Sequence, residues 1–167
     1  VADMAAITIR NTLEPGDLSQ VALLHAKIYY RELGFGIGFE AYVMESLVEF
    51  YRQYDPDFDK VWIVESEGRM VGFLLLMHRP NNQAQLRYFV LEEAFRGKGI
   101  GKQVLAHCLE HTQKYQISTL LAFVFQHNLT SIKLFNQFGF DQWGVLPNVA
   151  KIQNQEKSLV ILGKRVG

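Results

Sequence analysis

An apolar run, Phe89-Val90-Leu91, passes through Glu92–Phe95 into Arg96-Gly97-Lys98-Gly99-Ile100-Gly101-Lys102, and helical periodicity begins at once. No other stretch restricts the fold so closely. Closely spaced glycines let the main chain turn tightly and approach a ligand with no β-carbon in the way. A helix that starts there aims the unpaired N–H groups of its first turn into the loop, with the positive end of its dipole behind them. That combination is a seat for phosphate, and Arg96, Lys98 and Lys102 add positive charge around it. Taken alone, the same string is equally a plain glycine-rich turn between strand and helix.

Two better-known phosphate loops do not fit. The dinucleotide fingerprint, G-x-G-x-x-G, follows a first strand and has an acid about 20 residues further on. Here the loop follows a fourth strand, and Leu121 stands at that distance. The Walker string, G-x-x-x-x-G-K followed by Ser or Thr, is absent.

The flanking periodicities give an element order. Ala6–Arg10 is a short strand, and Asp17 after the turn Leu13–Asp17 is a candidate helix cap. Leu18, Val21, Ala22, His25, Ile28 and Tyr29 recur at helical spacing until Gly34, Gly36 and Gly38 interrupt them. Those glycines predict a mobile lid or a sharp interhelix turn. A second helix carries Phe39, Tyr42, Val43, Ser46, Leu47, Phe50, Tyr51 and Tyr54 on one stripe. Val61–Ser66 and Arg69–Arg79 form a hairpin around Glu67-Gly68, and Ala84–Glu92 is the next strand. Gly99–Tyr115 is a helix, Ser118–Phe125 a central buried strand, and Thr130–Phe138 a short helix stopped by Gly139. Phe140–Leu146 and Lys157–Lys164 close the chain as two strands joined across Pro147. Helices interleaved with a sheet predict an α+β fold of α/β character.

Composition sets the class. A chain of 167 residues is the size of one domain. Lys plus Arg equals Asp plus Glu at 17 each, which argues against a nucleic-acid binder working through bulk charge. The longest apolar run, Val71–Met77, falls short of the roughly 20 residues of a membrane span, and no signal peptide is visible. The single cysteine, Cys108, excludes an internal disulfide framework and a cysteine-rich zinc site; at core spacing on its helix it reads as packing. A soluble, cytoplasmic, single-domain protein over residues 1–167, with no metal, is the expectation. Val1 opens the chain and Met4 is a candidate start. The zero net charge hides a split: residues 1–60 hold ten acids and five bases (−5), residues 61–167 seven acids and twelve bases (+5). That is either chance or a cationic part meeting an anionic ligand beside an acidic part meeting something else.

The loop resembles the coenzyme A pyrophosphate loop of the GNAT superfamily of N-acetyltransferases. That pattern is Gln or Arg, two residues, Gly, one residue, then Gly or Ala, and Arg96, Gly99 and Gly101 meet it. Asn128, Ser131, Leu134, Phe135 and Gly139-Phe140 resemble the family's downstream segment, and the element order agrees from Ile7 to the last strand. His25–Gly34 with Trp62–Leu76 resembles bacterial members. The resemblance implies a mixed, mostly antiparallel sheet of six or seven strands flanked by about four helices, with strands four and five splayed apart.

It also implies acetyl-CoA as co-substrate and an amine acceptor, small molecule or peptide. Pantetheine would pair with the main chain of Phe89–Leu91, at Phe89 and Leu91, as an extra pseudo-strand. Arg96–Lys102 (Gly97, Lys98, Gly99, Ile100 and Gly101 included) would hold the pyrophosphate. Asn128 and Ser131 stand where the family contacts the pantetheine arm, although Asn128 also suits a helix N-cap. Phe135 replaces a tyrosine proposed in the family to protonate the leaving thiolate, and Gln85 stands where the histone-modifying branch has a base glutamate. His78, His127, Glu32, Glu40 or a water chain are then candidate bases, and no catalytic residue is assigned. Tyr30 and Phe35, beside the glycines, are expected to face the acceptor, while the Phe39–Tyr54 stripe packs. The C-terminal strands offer a face for a homodimer. A catalytically silent coenzyme-binding sensor is the alternative reading.

Overall fold

The structure, a computed structural model, describes residues 6–152 and 154–167; Val1 and Met4 lie outside the described residues. β1 (Ile7–Arg10) leads through a turn into α1 (Asp17–Leu33). Asp17 does not cap α1. Gly16 holds the N-cap at φ 97, and the Asp17 carboxylate accepts the Glu14 N–H (2.6 Å) and two Arg10 nitrogens (2.8 and 2.9 Å). Arg10 also donates to Glu65 (2.6 Å), so one guanidinium ties β1 to the helix entry and to the neighbouring strand. Burial pushes the Asp17 carboxyl up, but these hydrogen bonds outweigh it and hold it below the usual carboxylate range.

Gly34 ends α1 in the left-handed region (φ 71), its N–H on Tyr30 O at 2.9 Å. α2 (Ile37–Gln53) follows at once, so the glycines make a sharp turn, with Gly38 already inside the helix. Val21, Ala22, Leu24, His25 and Ile28 bury one face of α1, and Phe39, Val43, Leu47 and Phe50 one face of α2. Then come β2 (Lys60–Ser66), β3 (Arg69–Arg79) and β4 (Gln83–Leu91). Their two turns, Glu67-Gly68 and Asn81-Asn82, have positive φ at both central residues, the hairpin geometry that matches strand twist.

A single 3-10 turn, Glu93–Phe95, precedes α3 (Ile100–Lys114). β5 (Thr119–Phe125), α4 (Leu129–Gln137), β6 (Asp141–Ile152) and β7 (Gln155–Arg165) complete the chain. Pro147 does not end β6 as expected. β6 is the edge strand, so a residue without an N–H is tolerated, and the register against β7 shifts between Leu146 and Ala150 to pass it. Cys108 is fully buried on α3, and burial pushes its thiol up, as a packing residue requires.

The sheet has seven strands in the order β1-β2-β3-β4-β5-β7-β6. β4 and β5 run parallel, while β1–β2, β5–β7 and β6–β7 are antiparallel. Contacts gather into two compact units, Val1–Leu75 with Tyr88–Val104, and Leu76–Arg87 with Leu105–Gly167. The first holds α1, α2, the glycine loop and the end of β4. The second holds β5, α4, β6 and β7. β4 pairs with β5 only from Gln83 to Leu86, against Thr119 to Ala122, and then continues to Leu91. No helix among the described residues is long and apolar enough to cross a membrane.

Candidate active site

The glycine loop lies within the first unit. Gly97 (φ 72) and Gly99 (φ 81) are both left-handed, and a β-carbon added at either would meet nothing within 4 Å. They are needed for backbone conformation, and the space beside them is open. The first helical bond of α3 runs from Gln103 N–H to Gly99 O at 3.0 Å. The N–H groups of Ile100, Gly101 and Lys102 precede it and have no partner within the helix. Lys102 puts a cation in that first turn, where the dipole is already positive, at a cost of about 0.3–1 kcal/mol. An anion seated there reverses the sign of both effects. Lys98 is exposed, its Nζ 5.9 Å from the Phe95 ring centre.

Arg96 corrects a simple picture of loop charge. Its Nε donates to Leu91 O at 2.8 Å, and its Nη1 pairs with the Glu32 carboxylate near the end of α1. Its guanidinium is therefore a brace between the end of β4 and the helix pair.

The end of β4 is tied to β3 and to Arg96. Glu92 N–H donates to Val71 O of β3 at 2.8 Å. Strand alternation then turns Val90 toward β3 and the main-chain groups of Phe89 and Leu91 the other way. The Val90 side chain is buried. Gly72 of β3 backs this stretch closely: an added β-carbon would lie 2.9 Å from Leu91 Cδ1 and 3.1 Å from Val90 O.

On the helix pair, Tyr30 is 68% exposed. Phe35 is not: it is 4% exposed, with its ring 6.0 Å from Tyr29 and 5.3 Å from Phe39. The turn that frees its neighbours folds its ring into the aromatic core. Of the candidate bases, Glu32 is taken by Arg96, Glu40 is half-buried in the first turn of α2, and His78 and His127 are exposed. Partial burial, then the Lys157 charge, lower the pKa of His127.

The model of the acetyltransferase (GNAT) family matches residues 24–140. This chain belongs to the GNAT family. YwnH of Bacillus subtilis (strain 168), provisionally named a phosphinothricin acetyltransferase, is 36% identical over 98 residues, 58% of this chain and 60% of that protein. The spermine/spermidine N(1)-acetyltransferase of the same organism is 31% identical over 88 residues, 48% of this chain and 58% of that protein. The chain spans about three fifths of the length of these curated relatives. A crystal structure provisionally named a phosphinothricin N-acetyltransferase covers 97% of this chain and 99% of its own, at 28% identity and TM-score 0.76. The parallel β4–β5 pair in a mostly antiparallel sheet is the GNAT architecture expected above, and the family uses acetyl-CoA.

The family's second segment lies in the second unit. Asn128 is the N-cap of α4, its Oδ1 accepting the Ser131 N–H at 3.2 Å. Phe135 is 2% exposed and packs edge-on against Phe140. Gln85 is engaged as well: its Oε1 accepts from Arg79 Nε (3.1 Å) and Nη2 (2.7 Å).

Three residues at the site escaped the sequence. His25 of α1, Ser46 of α2 and Tyr88 of β4 cluster at the end of β4. His25 Nδ1 lies 2.8 Å from Val21 O; a carbonyl only accepts, so Nδ1 carries the proton. Burial lowers the His25 pKa to about 4 and keeps the ring neutral. The available signal was a polar residue on each apolar helix stripe, His25 and Ser46.

Proposed function

We propose that this chain, working as one acetyltransferase domain, moves the acetyl group of acetyl-CoA directly to an amine. The observation that carries the proposal is the pair of left-handed glycines with open space before the N-terminus of α3, beside the outward edge of Phe89–Leu91. Pyrophosphate meets the N–H groups of Ile100–Lys102, helped by Lys98 and Lys102. Pantetheine pairs with the main chain of Phe89 and Leu91.

The amine is protonated near neutral pH and must lose a proton before it attacks. Its nitrogen then bonds the thioester carbon, and the oxyanion takes a hydrogen bond from a β4 N–H near Leu91. Collapse breaks the C–S bond, expels the thiolate and releases the second proton from the nitrogen, to the sulfur or to water. Phe135 has no proton to give, so another group protonates the sulfur or it leaves as the thiolate, with a pKa of about 8.5. The acids of residues 1–60 suit a cationic acceptor, and the named acceptor of the spermine/spermidine relative is a polyamine. A polyamine or another small cationic amine is therefore the first acceptor to try.

The test is incubation with acetyl-CoA and a panel of polyamines, amino acids and lysine peptides, reading free thiol and product mass. Thiol release with an acetylated amine is expected. Coenzyme binding without turnover on any amine overturns the catalytic reading. The second reading, a catalytically silent coenzyme sensor, draws on Phe135 and on the engaged Gln85; any acylated product removes it. Mass analysis also separates hydroxyl transfer and longer acyl groups. We further propose a homodimer through the C-terminal strands, where Trp143 is 47% and Val145 41% exposed. A single 19.2 kDa species in sedimentation overturns it.

A further inference from the structure

Tyr88 sits inside β4 with φ 57, the left-handed region, without glycine's freedom. A residue held this way within a strand marks a bulge, which re-aims the main chain and ends regular pairing. The strand does change there. Its pairing with β5 ends at Leu86, and just beyond Tyr88 the main-chain groups of Phe89 and Leu91 turn away from β3. A strained backbone persists only where its surroundings hold it.

Two helices do the holding. Ser46 Oγ of α2 donates to Val43 O at 3.0 Å, which spends its only proton. The Tyr88 hydroxyl, 2.7 Å from the same Oγ, is therefore the donor of that second bond. His25 of α1 meets the Tyr88 ring edge-on, with centroids 5.9 Å apart and planes at 85°. His25 is itself fixed by its bond to Val21 O.

We infer that Tyr88 and Ser46 form a latch that sets the coenzyme edge of β4. The hydroxyl pair keeps the bulge, and the bulge aims Phe89 and Leu91. Both are positioning residues, acting through the main chain of their neighbours. The latch also ties α2, on the acceptor side, to the strand that carries the coenzyme. This inference rests on the proposal that coenzyme A lies along that edge.

Calorimetric titration of coenzyme A into the full chain tests it, with Tyr88→Phe, Ser46→Ala, the double variant and Ser46→Thr, each melted in parallel. Loss of one neutral hydrogen bond corresponds to about threefold to tenfold weaker coenzyme binding in either single variant. The double variant is expected to bind no more weakly than either single one, because both remove the same bond. Ser46→Thr, which keeps the hydroxyl, restores affinity. Phe50→Leu, in the core of α2 one turn beyond Ser46 but outside the hydroxyl pair, lowers the melting temperature and leaves the affinity unchanged. Wild-type affinity in Tyr88→Phe and Ser46→Ala overturns the latch. So do losses that add in the double variant, or that Phe50→Leu reproduces. Failure of the wild-type chain to bind coenzyme A overturns the coenzyme reading itself, and the latch with it.

Discussion

Gly99→Ala separates a backbone requirement from a ligand requirement. Gly99 holds φ 81 with nothing within 4 Å of an added β-carbon, so the substitution brings strain without a clash. An alanine in the left-handed region costs about 1–2 kcal/mol. For a chain of 167 residues, each kcal/mol moves the melting temperature by roughly 2–4 °C, so a fall of about 2–8 °C is expected. Gly68, in the β2–β3 turn at φ 71 and also open, is the matched control, and Gly68→Ala should cost the same.

The two variants part on coenzyme A. At residue 99 the new methyl group stands in the space through which a pyrophosphate oxygen reaches the N–H groups of Ile100–Lys102. Losing one charge-assisted hydrogen bond costs about 1.5–3 kcal/mol, or roughly tenfold to a hundredfold in affinity. Titration calorimetry reads the affinities, and melting curves with and without coenzyme A give a second measure through ligand stabilisation. Gly99→Ala and Gly68→Ala with equal melting temperatures and equal affinities would refute the assignment of the loop as the phosphate seat.

Three further outcomes follow from single contacts. Arg96→Lys keeps the charge but loses the planar fork that reaches Leu91 O and Glu32 together, so calorimetry should show weaker coenzyme A binding; a silent substitution would mean that charge alone matters there. Gly72→Ala forces a β-carbon to within 2.9 Å of Leu91 Cδ1 and 3.2 Å of Val64 Cβ, and overpacking of this kind should cost about 1–3 kcal/mol in denaturant unfolding. His25 has a folded pKa of about 4 against about 6.5 when unfolded, so between those values the unfolded chain binds the extra proton. Stability from this group is complete above pH 6.5 or so and is lost as pH falls toward 4, by about 3 kcal/mol; His25→Phe should flatten that limb of a stability–pH curve.

What could be read ahead of the structure follows the range of the interactions involved. The loop was legible because its requirements are local: glycine for positive φ, and a helix start immediately after. The hairpin at Glu67-Gly68 and the helix stop at Gly34 were legible for the same reason. Asp17 was misread because a capping residue and a salt-bridged one share their chemistry, and only Arg10 decides between them. Phe35 was misread because glycines on both sides suggest exposure, whereas the turn packs its ring on Tyr29 and Phe39. The end of β6 was misread because a proline stops an inner strand but not an edge strand. The left-handed backbone at Tyr88 left no trace in the alternation of β4, since the bond of its hydroxyl to Ser46 spans 42 residues.

The charge division along the sequence looks different once its partners are known. Arg96 belongs to the basic part and Glu32 to the acidic part, yet they pair across 64 residues. Arg10 and Glu65 cross the same division in the opposite sense, at 2.6 Å. The −5 and +5 are therefore partly stitched together inside the fold. Arg96 and Glu32 remain about one third exposed, so their ion pair contributes little to stability and its value lies in geometry. The positive field offered to a phosphate then comes from the exposed Lys98 and Lys102 and from the first turn of α3. Salt screens such lysines, while N–H groups fixed at a helix end keep their direction at any ionic strength. Coenzyme affinity in this chain should thus have a strongly salt-sensitive part carried by two lysines and a less salt-sensitive part carried by short hydrogen bonds from the backbone.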